Sequence, residues 1–302
     1  MPLLHIVVVL YNGAEALPAF LRSLLAQTMT DWRLIAVDNR SHDAAASLVE
    51  ACGDSRVRLI CNNANLGFAR AANQGLRAAA AEGAETFVVF NPDTLFAPDF
   101  LTGLLDRQRA TGAMVMAPRI MRADEPGQAW YAGGRFTDDW VFRNVHEPYD
   151  PRERFSRNVD FASGCCLMLR REVLELVGLL DERFFVYWED VDYCLRLRRH
   201  GIAITYVPDL VLLHEGGASS GGEFSTGYSA LYHRSHMMLL RKHFGLRSAA
   251  GAAARLLKAA ALARRIDWGV LRQGLVMFGG VLARGRATEG LPARISGAAP
   301  RA

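Results

Sequence analysis

Short apolar runs recur along the N-terminal third of the chain. Four of them are rich in β-branched or aromatic residues and extend over His5–Leu10, Trp32–Val37, Val57–Cys61 and Thr86–Phe90. Runs of this length between polar or Gly-containing turns are typical of buried strands. The last run has no polar alternation, which predicts a strand that is buried on both faces. The pattern therefore predicts four strands before residue 91.

Segments with helical spacing separate these runs. They lie at Ala16–Ala26, near Asp43–Ala51 and at Phe68–Ala81, and the last is followed by Gly83. This alternation predicts an α/β fold with a doubly wound, mostly parallel sheet and helices on both faces. Ligands of such sheets bind beyond the carboxyl ends of the strands, where the loops converge.

The composition is that of a globular chain. Its 302 residues are 51% hydrophobic and 22% charged, enough for one large domain or two smaller ones. The five cysteines have neither C-x-x-C spacing nor a plausible disulfide framework, which favours a reducing compartment. The start, MPLLHIVVVLYNG, lacks a basic leader, and we find no uncharged run of the roughly 18 residues that a spanning helix requires. These features predict a cytoplasmic location without a transmembrane segment.

Charge is distributed unevenly. Residues 246–302 carry ten Lys or Arg against Asp267 and Glu289, a balance of +8 in a chain whose net charge is +4. We therefore divide the chain into a domain at 1–245 and a basic, Ala/Leu-rich helical C-terminal extension at 246–302. The extension suits peripheral contact with the anionic inner face of the cell membrane, and it equally suits a solvated helical hairpin. Nucleic acid is not an expected partner, because the acidic main body lacks interleaved basic and aromatic residues.

Polar residues follow two of the predicted strands. The stretch FVVFNPDTLF places Asn91 and Asp93 directly after the fourth strand, and VDNRSHD places Asp38 directly after the second. Carboxylates at strand ends face a ligand crevice. Asn-Pro-Asp is also good turn chemistry, and taken alone it favours a turn. In VDNRSHD, Ser41 and Asp43 are expected to cap the next helix, which leaves Asp38 free to accept a hydrogen bond from a ligand.

A third segment, NNANLGFARAANQG, places a helix start and Arg70 at the same edge. Backbone N–H groups, the helix dipole and the guanidinium suit a diphosphate. The alternative is local structure, in which Asn65 caps the helix and Gly67 permits a turn. Neither G-x-G-x-x-G nor G-x-x-x-x-G-K-[ST] occurs, which argues against a Rossmann dehydrogenase and a P-loop enzyme.

Together these segments resemble a known family. YNG, VDNRSHD, NLGFARAANQG and FNPD occur in the order and spacing of family 2 glycosyltransferases, whose fold is termed GT-A. The stretch SGCCLMLRREVLELVGLLDERFFVYWEDVDYCLRLRRHG, at 163–201, is similar to the rhamnosyltransferase-like branch. The resemblance covers residues 4–245. It implies an inverting enzyme that moves a sugar, L-rhamnose from dTDP-rhamnose or else a UDP-linked sugar, to a saccharide or lipid-linked acceptor.

The resemblance also implies a divalent metal cofactor, Mn²⁺ or Mg²⁺. Asp93 matches the last acid of the family's metal motif, and His214 matches a further ligand of some relatives. Asn91 stands where the D-x-D form has its first acid, so one carboxylate of the usual pair is missing. The alternative for His214 is a polar strand end. Imidazole suits Mn²⁺ better than Mg²⁺.

The donor site follows by the same resemblance. It implies that nucleobase and ribose contact Val8, Tyr11 and Asp38, although Tyr11 is also explained as a core aromatic. Arg70 is expected at the diphosphate, although an exposed helical Arg is common. The remaining donor contacts that the resemblance implies are Asn12, Asn65, Gly67 and Asn91.

The catalytic candidates lie in FFVYWEDVDYCLRLRRHG. Three acids crowd the predicted start of a helix that ends at Gly201, and the helix dipole alone explains them. It does not explain the preceding aromatics, which line sugars and desolvate carboxylates. By resemblance Asp190 is the general base, with Glu189 as runner-up, while Trp188 and Gly164 are expected at the sugar or acceptor.

Three further expectations complete the reading. Residues Arg122–Asn158 are expected to form a long mobile region on the acceptor side, and Cys165 and Cys166 to serve packing. The alternative function is a catalytically inactive nucleotide-sugar-binding or scaffold protein, which Asn91 and the basic tail suggest. A nucleotidyltransferase would need a basic Gly-rich loop after the first strand, where this chain has YNGAEALP.

Overall fold

The computed structural model describes residues 4–125, 127–137, 144–146, 149–216 and 231–245. Within the N-terminal third the predicted alternation is confirmed, and boundaries differ from the prediction by at most two residues. The elements are β1 Leu4–Leu10, α1 Leu17–Leu25, β2 Trp32–Asp38, α2 Ala45–Ala51, β3 Val57–Cys61, α3 Phe68–Ala81 and β4 Thr86–Phe90.

The second half of the chain adds shorter strands between helices. These elements are β5 Thr94–Phe96, α4 Phe100–Thr111, β6 Val115–Arg122, β7 Ala129–Tyr131, β8 Gly134–Phe136, β9 Asn144–His146, β10 Arg157–Val159, β11 Cys166–Arg170, α5 Arg171–Val177, α6 Glu189–Arg199 and β12 Ile204–His214. A last described helix, α7, covers residues 231–245. Helix α6 ends as predicted, because Gly201 follows it with a positive φ of 68°.

One twisted sheet of ten strands organises the molecule. Its main path runs β10-β12-β6-β11-β4-β1-β2-β3. Strands β4, β1, β2 and β3 are all parallel, as the sequence predicts. Antiparallel β11 pairs with both β4 and β6, so the sheet becomes mixed on that side, although most paired residues remain in parallel pairs. Leu10 pairs with Asp38, so β1 and β2 end together at one edge.

Helix α3 packs closely on this sheet because its contact face is made of small residues. Its buried residues include Ala71, Ala72 and Gly75. A methyl group added at Gly75 would come within 2.4 Å of the Cγ1 atom of Val7 on β1. The close approach fixes the distance between the middle of α3 and β1.

The described part of the segment that was expected as a mobile region contains short paired strands. Residues 122–158 contain β7, which pairs with β6, and β8, which pairs with β9. These strands were not predicted, because the short β-forming stretches around Trp130 and Arg135 lie among charged residues and prolines. Gly133 and Gly134 serve close packing, since added methyl groups would meet Arg157 and Phe161 within 3 Å.

The expectations for residues 246–302 lie outside the described residues. Among the residues that the structure describes, no helix combines the length and apolar character needed to cross a bilayer.

Candidate active site

A cleft of about 860 Å³ opens at the carboxyl ends of β1 and β4. Ten of the residues predicted for the site line it. They are Tyr11, Asn65, Gly67, Asn91, Asp93, Gly164, Trp188, Glu189, Asp190 and His214. These residues come from six separate stretches of the chain, and the fold brings them to one surface.

Asp93 and His214 face each other because β5 and β12 are neighbours. Thr94 pairs with His214 across the antiparallel ladder, and the Glu215 N–H donates to the Asp93 carbonyl at 3.0 Å. The Asp93 Oδ1 and His214 Nε2 atoms lie 3.3 Å apart, and both side chains are buried. Their angle is not that of a hydrogen bond, and Oδ1 has no hydrogen-bond partner among the described residues. A buried carboxylate oxygen that accepts no hydrogen bond is suited to bind a cation.

This pair fits two positions of one metal coordination sphere. Ligand atoms about 2.1 Å from an ion and at right angles to each other lie about 3 Å apart. Among the described residues no group of three His, Cys, Asp or Glu could hold a metal ion. The residues therefore suit an ion whose remaining ligands come from phosphate oxygens and water, which is the usual arrangement for Mg²⁺ at nucleotides.

Asn91 lies beside this pair but is engaged through its backbone. Its N–H donates to the Cys165 carbonyl at 2.9 Å, and its carbonyl accepts the Thr94 hydroxyl at 2.9 Å. These bonds hold the Asn91-Pro92-Asp93 turn against β11. The Asn-Pro-Asp segment therefore forms a turn and also faces the ligand cleft. The two interpretations of FVVFNPDTLF, a turn and a ligand-facing carboxylate, do not exclude each other.

Asp190 and Glu189 lie at the start of α6 in unlike surroundings. The Asp190 Oδ2 atom accepts the Gly164 N–H at 3.1 Å, and Oδ1 accepts the Val191 N–H at 2.7 Å. Burial raises the pKa of Asp190, and these two bonds oppose the rise. Burial, followed by the neighbouring Asp190 charge, raises the pKa of Glu189, whose Oε2 has no partner among the described residues. Asp190 is therefore the carboxyl group that ionises first.

The turn before α6 has an unusual backbone. Tyr187 and Trp188 have φ values of 66° and 68°, a left-handed conformation that costs non-glycine residues about 1–3 kcal/mol each. Trp188 is buried, and its ring stacks on His236 of α7 at 4.1 Å between centroids. Such strain is concentrated at functional sites. The turn points Trp188 and the two carboxyl groups toward the same cleft.

Asparagines shape the other end of the cleft. Asn39 is buried, and its amide donates to Asn65 Oδ1 at 2.8 Å while its carbonyl oxygen accepts the Leu66 N–H at 2.9 Å. Sequence reasoning missed Asn39 as a site residue. The feature that could have identified it is an amide side chain directly after a predicted strand. Asp38 beside it is also buried, and its Oδ1 has no partner among the described residues.

Four predicted donor contacts do not line the cleft, namely Val8, Asn12, Asp38 and Arg70. Val8 is fully buried in the core, and Val9, whose side chain faces the other side of the strand, lines the cleft instead. Asn12 ties two loops together, since its Oδ1 accepts the His42 N–H at 2.8 Å. Arg70 pairs with Glu182 at 3.1 Å and does not line the cleft.

The start of α3 is also occupied by protein. The Phe68 N–H donates to the Phe185 carbonyl at 2.6 Å, so the chain satisfies a group that we expected at a diphosphate. The capping expectations were partly wrong as well. Asp43 accepts the Ala45 N–H at 3.0 Å at the start of α2, but the Ser41 hydroxyl accepts the Asn12 N–H.

Sequence reasoning missed the aromatic wall of the cleft. Trp130 from β7 packs against His214 at 4.7 Å between centroids, and Tyr232 from α7 packs against Trp188 at 5.3 Å. Both come from segments without a recognisable motif, so the sequence carried no signal for them. Cys165 and Cys166 are buried, and burial raises the pKa of both thiols, which agrees with the predicted packing role.

Comparison with known proteins gives a consistent result. The family model for "Glycosyl transferase family 2" matches residues 5–178. An N-acetylglucosaminyl-diphospho-decaprenol L-rhamnosyltransferase of Mycobacterium tuberculosis is 30% identical over 266 residues, 80% of this chain and 85% of that protein. The dTDP-rhamnosyl transferase RfbF of Shigella flexneri is 28% identical, over 72% of this chain and 70% of that protein.

Solved structures with low sequence identity share the fold. The mannosyltransferase PcManGT from Pyrobaculum calidifontis, in complex with GDP-Man and Mn²⁺, superposes with a TM-score of 0.56 over 95% of this chain and 76% of that chain, at 16% identity. GalNAc-T7 with UDP, GalNAc and Mn²⁺ gives 0.60 at 16% identity over 78% of this chain, which spans about half (47%) of that longer chain. These likenesses confirm the predicted GT-A fold.

Proposed function

The chain belongs to glycosyl transferase family 2, and we propose that it transfers L-rhamnose from dTDP-rhamnose to a hydroxyl group of a saccharide or lipid-linked acceptor. Relatives with rhamnosyltransferase names cover most of this chain and support the choice of sugar. The observation that carries the proposal is the single cleft in which a desolvated Asp190 shares a surface with the Asp93–His214 pair.

The donor nucleotide is proposed to lie between Tyr11 and Asp38. Tyr11 lines the cleft at the end of β1, and an aromatic ring there can cover a base. Asp38 Oδ1 is a buried acceptor without a partner among the described residues, which suits an N–H or hydroxyl donor of base or ribose. The donor diphosphate would then extend toward Asp93 and His214.

We propose Mn²⁺ or Mg²⁺ as the cofactor, held by Asp93 and His214. A bound divalent ion supplies charge neutralisation at the departing diphosphate. The protein's own part is to hold the two ligand atoms in a fixed, buried arrangement on neighbouring strands. With Asn91 in place of the first acid, the protein contributes one carboxylate, and the diphosphate contributes the remaining negative charge.

Asp190 is proposed as the general base of an inverting displacement. It takes the proton from the acceptor hydroxyl, the acceptor oxygen bonds to the anomeric carbon, and the bond from that carbon to the diphosphate oxygen breaks. One carboxylate suffices, because no covalent enzyme intermediate forms. Its raised pKa makes it a stronger base than an exposed aspartate, and the Gly164 N–H holds it in the cleft. Glu189 stays protonated beside it.

The acceptor is proposed to lie against the aromatic wall of Trp188 and Tyr232. Both residues line the cleft next to Asp190, and aromatic faces pack on the apolar faces of sugars. A lipid-linked acceptor would place the enzyme at the cytoplasmic membrane face, where the basic extension at 246–302 could contact anionic lipid.

The test is donor-dependent transfer. We expect release of dTDP from dTDP-rhamnose with a polyprenyl-diphosphate-linked acceptor, and slower release from UDP- and GDP-sugars. Asp190→Asn should lower kcat by about 10²- to 10⁴-fold while dTDP affinity stays unchanged. Asp106→Asn, an exposed acid on α4 outside the cleft, is the control and should behave as wild type. Normal turnover by Asp190→Asn would remove Asp190 from this role.

A second candidate is a nucleotide-sugar-binding protein without catalysis. Asn91, in place of an acid, is the observation that favours it. Tight donor binding with no transfer to any acceptor, in the presence of Mn²⁺, would support this function over the first.

A further inference from the structure

Helix α7 makes several contacts with the turn that carries the proposed base. It lies beyond residue 178, where the family match ends. The Ser235 hydroxyl donates to the Val186 carbonyl at 2.8 Å. The His236 ring stacks on Trp188 with an interplanar angle of 12°. Val186 and Trp188 are therefore held from α7 immediately before Glu189.

A second set of contacts holds the other side of the carboxyl pair. The Asp192 Oδ1 atom meets Lys242 Nζ at 2.5 Å and His243 Nε2 at 2.7 Å, and both partners belong to α7. Arg196, one turn further along α6, donates to Asp192 Oδ2 at 3.0 Å. Asp192 is fully buried, so this ion network is shielded from water and salt.

The turn between these two sets of contacts has a backbone conformation that its own residues do not favour. Tyr187 and Trp188 are both left-handed, which non-glycine residues avoid. Such a turn persists only where its surroundings determine it. Asp190 depends on it, because the Gly164 N–H that it accepts comes from a different part of the chain, just before β11. A shift of the turn would separate the two.

We propose that α7 is a positioning element for Asp190. It acts through His236, which stacks on Trp188, and through its ion pairs with Asp192 of α6. The stacking and the ion network fix the turn on both sides and so keep the Asp190 carboxylate at its place in the cleft. The inference rests on the proposed function, because it assigns to α7 the orientation of the proposed base. It adds residues 231–245 to the catalytic unit, beyond the matched segment 5–178.

The experiment compares two substitutions at one position. His236→Leu removes the stacked ring, whereas His236→Phe keeps an aromatic ring against Trp188. We expect kcat to fall about 10- to 100-fold in His236→Leu and to recover in His236→Phe, with KM for dTDP-rhamnose within about twofold of wild type in both. Asp192→Asn is the second variant and should show the same loss of kcat. Arg234→Ala, an exposed position on α7, is the control.

A readout that does not require turnover is amide hydrogen exchange in residues 185–192. We expect faster exchange there in His236→Leu and Asp192→Asn, and wild-type exchange in His236→Phe and Arg234→Ala. Wild-type kcat and exchange in both perturbing variants would overturn the inference. If the wild-type chain transfers no sugar, the proposed function fails. Faster exchange at 185–192 in His236→Leu and Asp192→Asn would still establish that α7 holds the turn.

Discussion

The adjacent carboxyl groups of Glu189 and Asp190 differ in how well their surroundings stabilise the charged form. Asp190 accepts two backbone N–H bonds and lies at the cleft, so its charged form is supported. Glu189 is buried, and its Oε2 has no hydrogen-bond partner among the described residues, so its charged form is not stabilised. Pairs whose surroundings separate their pKa values in this way are typical of acid and base assignments.

The raised pKa of Glu189 predicts how stability changes with pH. The folded protein binds the Glu189 proton more tightly than the unfolded chain, whose glutamate titrates near 4.5. The stabilising contribution is therefore complete below pH 4.5, decreases as pH rises toward the raised pKa, and is lost above it. Each unit of pKa difference corresponds to about 1.4 kcal/mol.

Glu189→Gln should remove this dependence. We expect the variant to be more stable than wild type, by a margin that grows from pH 5 to pH 9, because glutamine stays neutral in the folded state. The measurement is Tm against pH by circular dichroism. Glu175→Gln, a glutamate on α5 outside the cleft, is the control and should follow wild type. A constant difference between Glu189→Gln and wild type at every pH would contradict the assignment.

The Asp93–His214 pair gives a prediction for metal binding. A nucleotide at about 100 times its Kd stabilises the folded state by about 2.7 kcal/mol. We expect Mn²⁺ to increase the thermal shift that dTDP produces. Asp93→Asn should lose this increase, and His214→Gln should reduce it. His214→Gln should also reduce the preference for Mn²⁺ over Mg²⁺, since imidazole favours Mn²⁺.

A nearby acid supplies the control. Asp124→Asn changes another acid that lines the cleft, one whose carboxylate is paired with Arg122 at 2.7 Å. It should keep the full Mn²⁺ effect. Equal Mn²⁺ enhancement in Asp93→Asn and wild type would place the metal elsewhere.

Among the elements, α3 and the loop before α6 meet at one glycine. Gly67 has a φ of 84°, and a methyl group added there would lie 2.4 Å from the Phe185 carbonyl oxygen. That carbonyl accepts the Phe68 N–H, and Phe185 comes just before the left-handed turn at Tyr187 and Trp188. The start of α3 therefore supports the loop that leads to Trp188.

Gly67→Ala should destabilise the protein and displace this loop. Gly83 is a matched control, because its φ is also 84° but no atom lies within 4 Å of an added methyl group. Both substitutions place an alanine at positive φ, which costs about 1 kcal/mol or more. At Gly67 the ψ of 164° also lies in a region that is nearly restricted to glycine. We therefore expect Gly67→Ala to lose about 1–3 kcal/mol more than Gly83→Ala, through the clash and this backbone strain together. Urea denaturation measures both, and equal losses would show that the loop yields without cost.

For the molecule as a whole, the separation of charge predicts membrane contact. We expect the full chain to sediment with vesicles that contain anionic lipid, and to be released by salt, because each basic group near the surface contributes about 1 kcal/mol. Neutralising Lys258, Arg264 and Arg265 to glutamine should weaken binding by about 1 kcal/mol per charge. Arg152→Gln, an exposed arginine of the main domain, is the control. Equal binding to neutral vesicles would contradict an electrostatic contact.

The sequence by itself determined the fold class and the position of its parts. Periodicity located β1 to β4 and the helices between them, because strand and helix spacing are local properties of the chain. It also located Asp93 and Asp190 at the ends of elements, where parallel sheets present ligand sites. It could not anticipate Trp130 or Tyr232, whose segments have no motif.

Only the tertiary structure decided which side chains share the cleft. Val8 and Val9 are the same residue type, but they lie on opposite sides of β1. Val8 therefore belongs to the core, whereas Val9 lines the cleft. Arg70 pairs with Glu182, more than a hundred residues later in the chain, which no local pattern encodes. The left-handed turn at Tyr187 and Trp188 opposes local preference and is held by α7. Local propensity thus placed the elements, whereas long-range packing, hydrogen bonding and charge pairing determined the site.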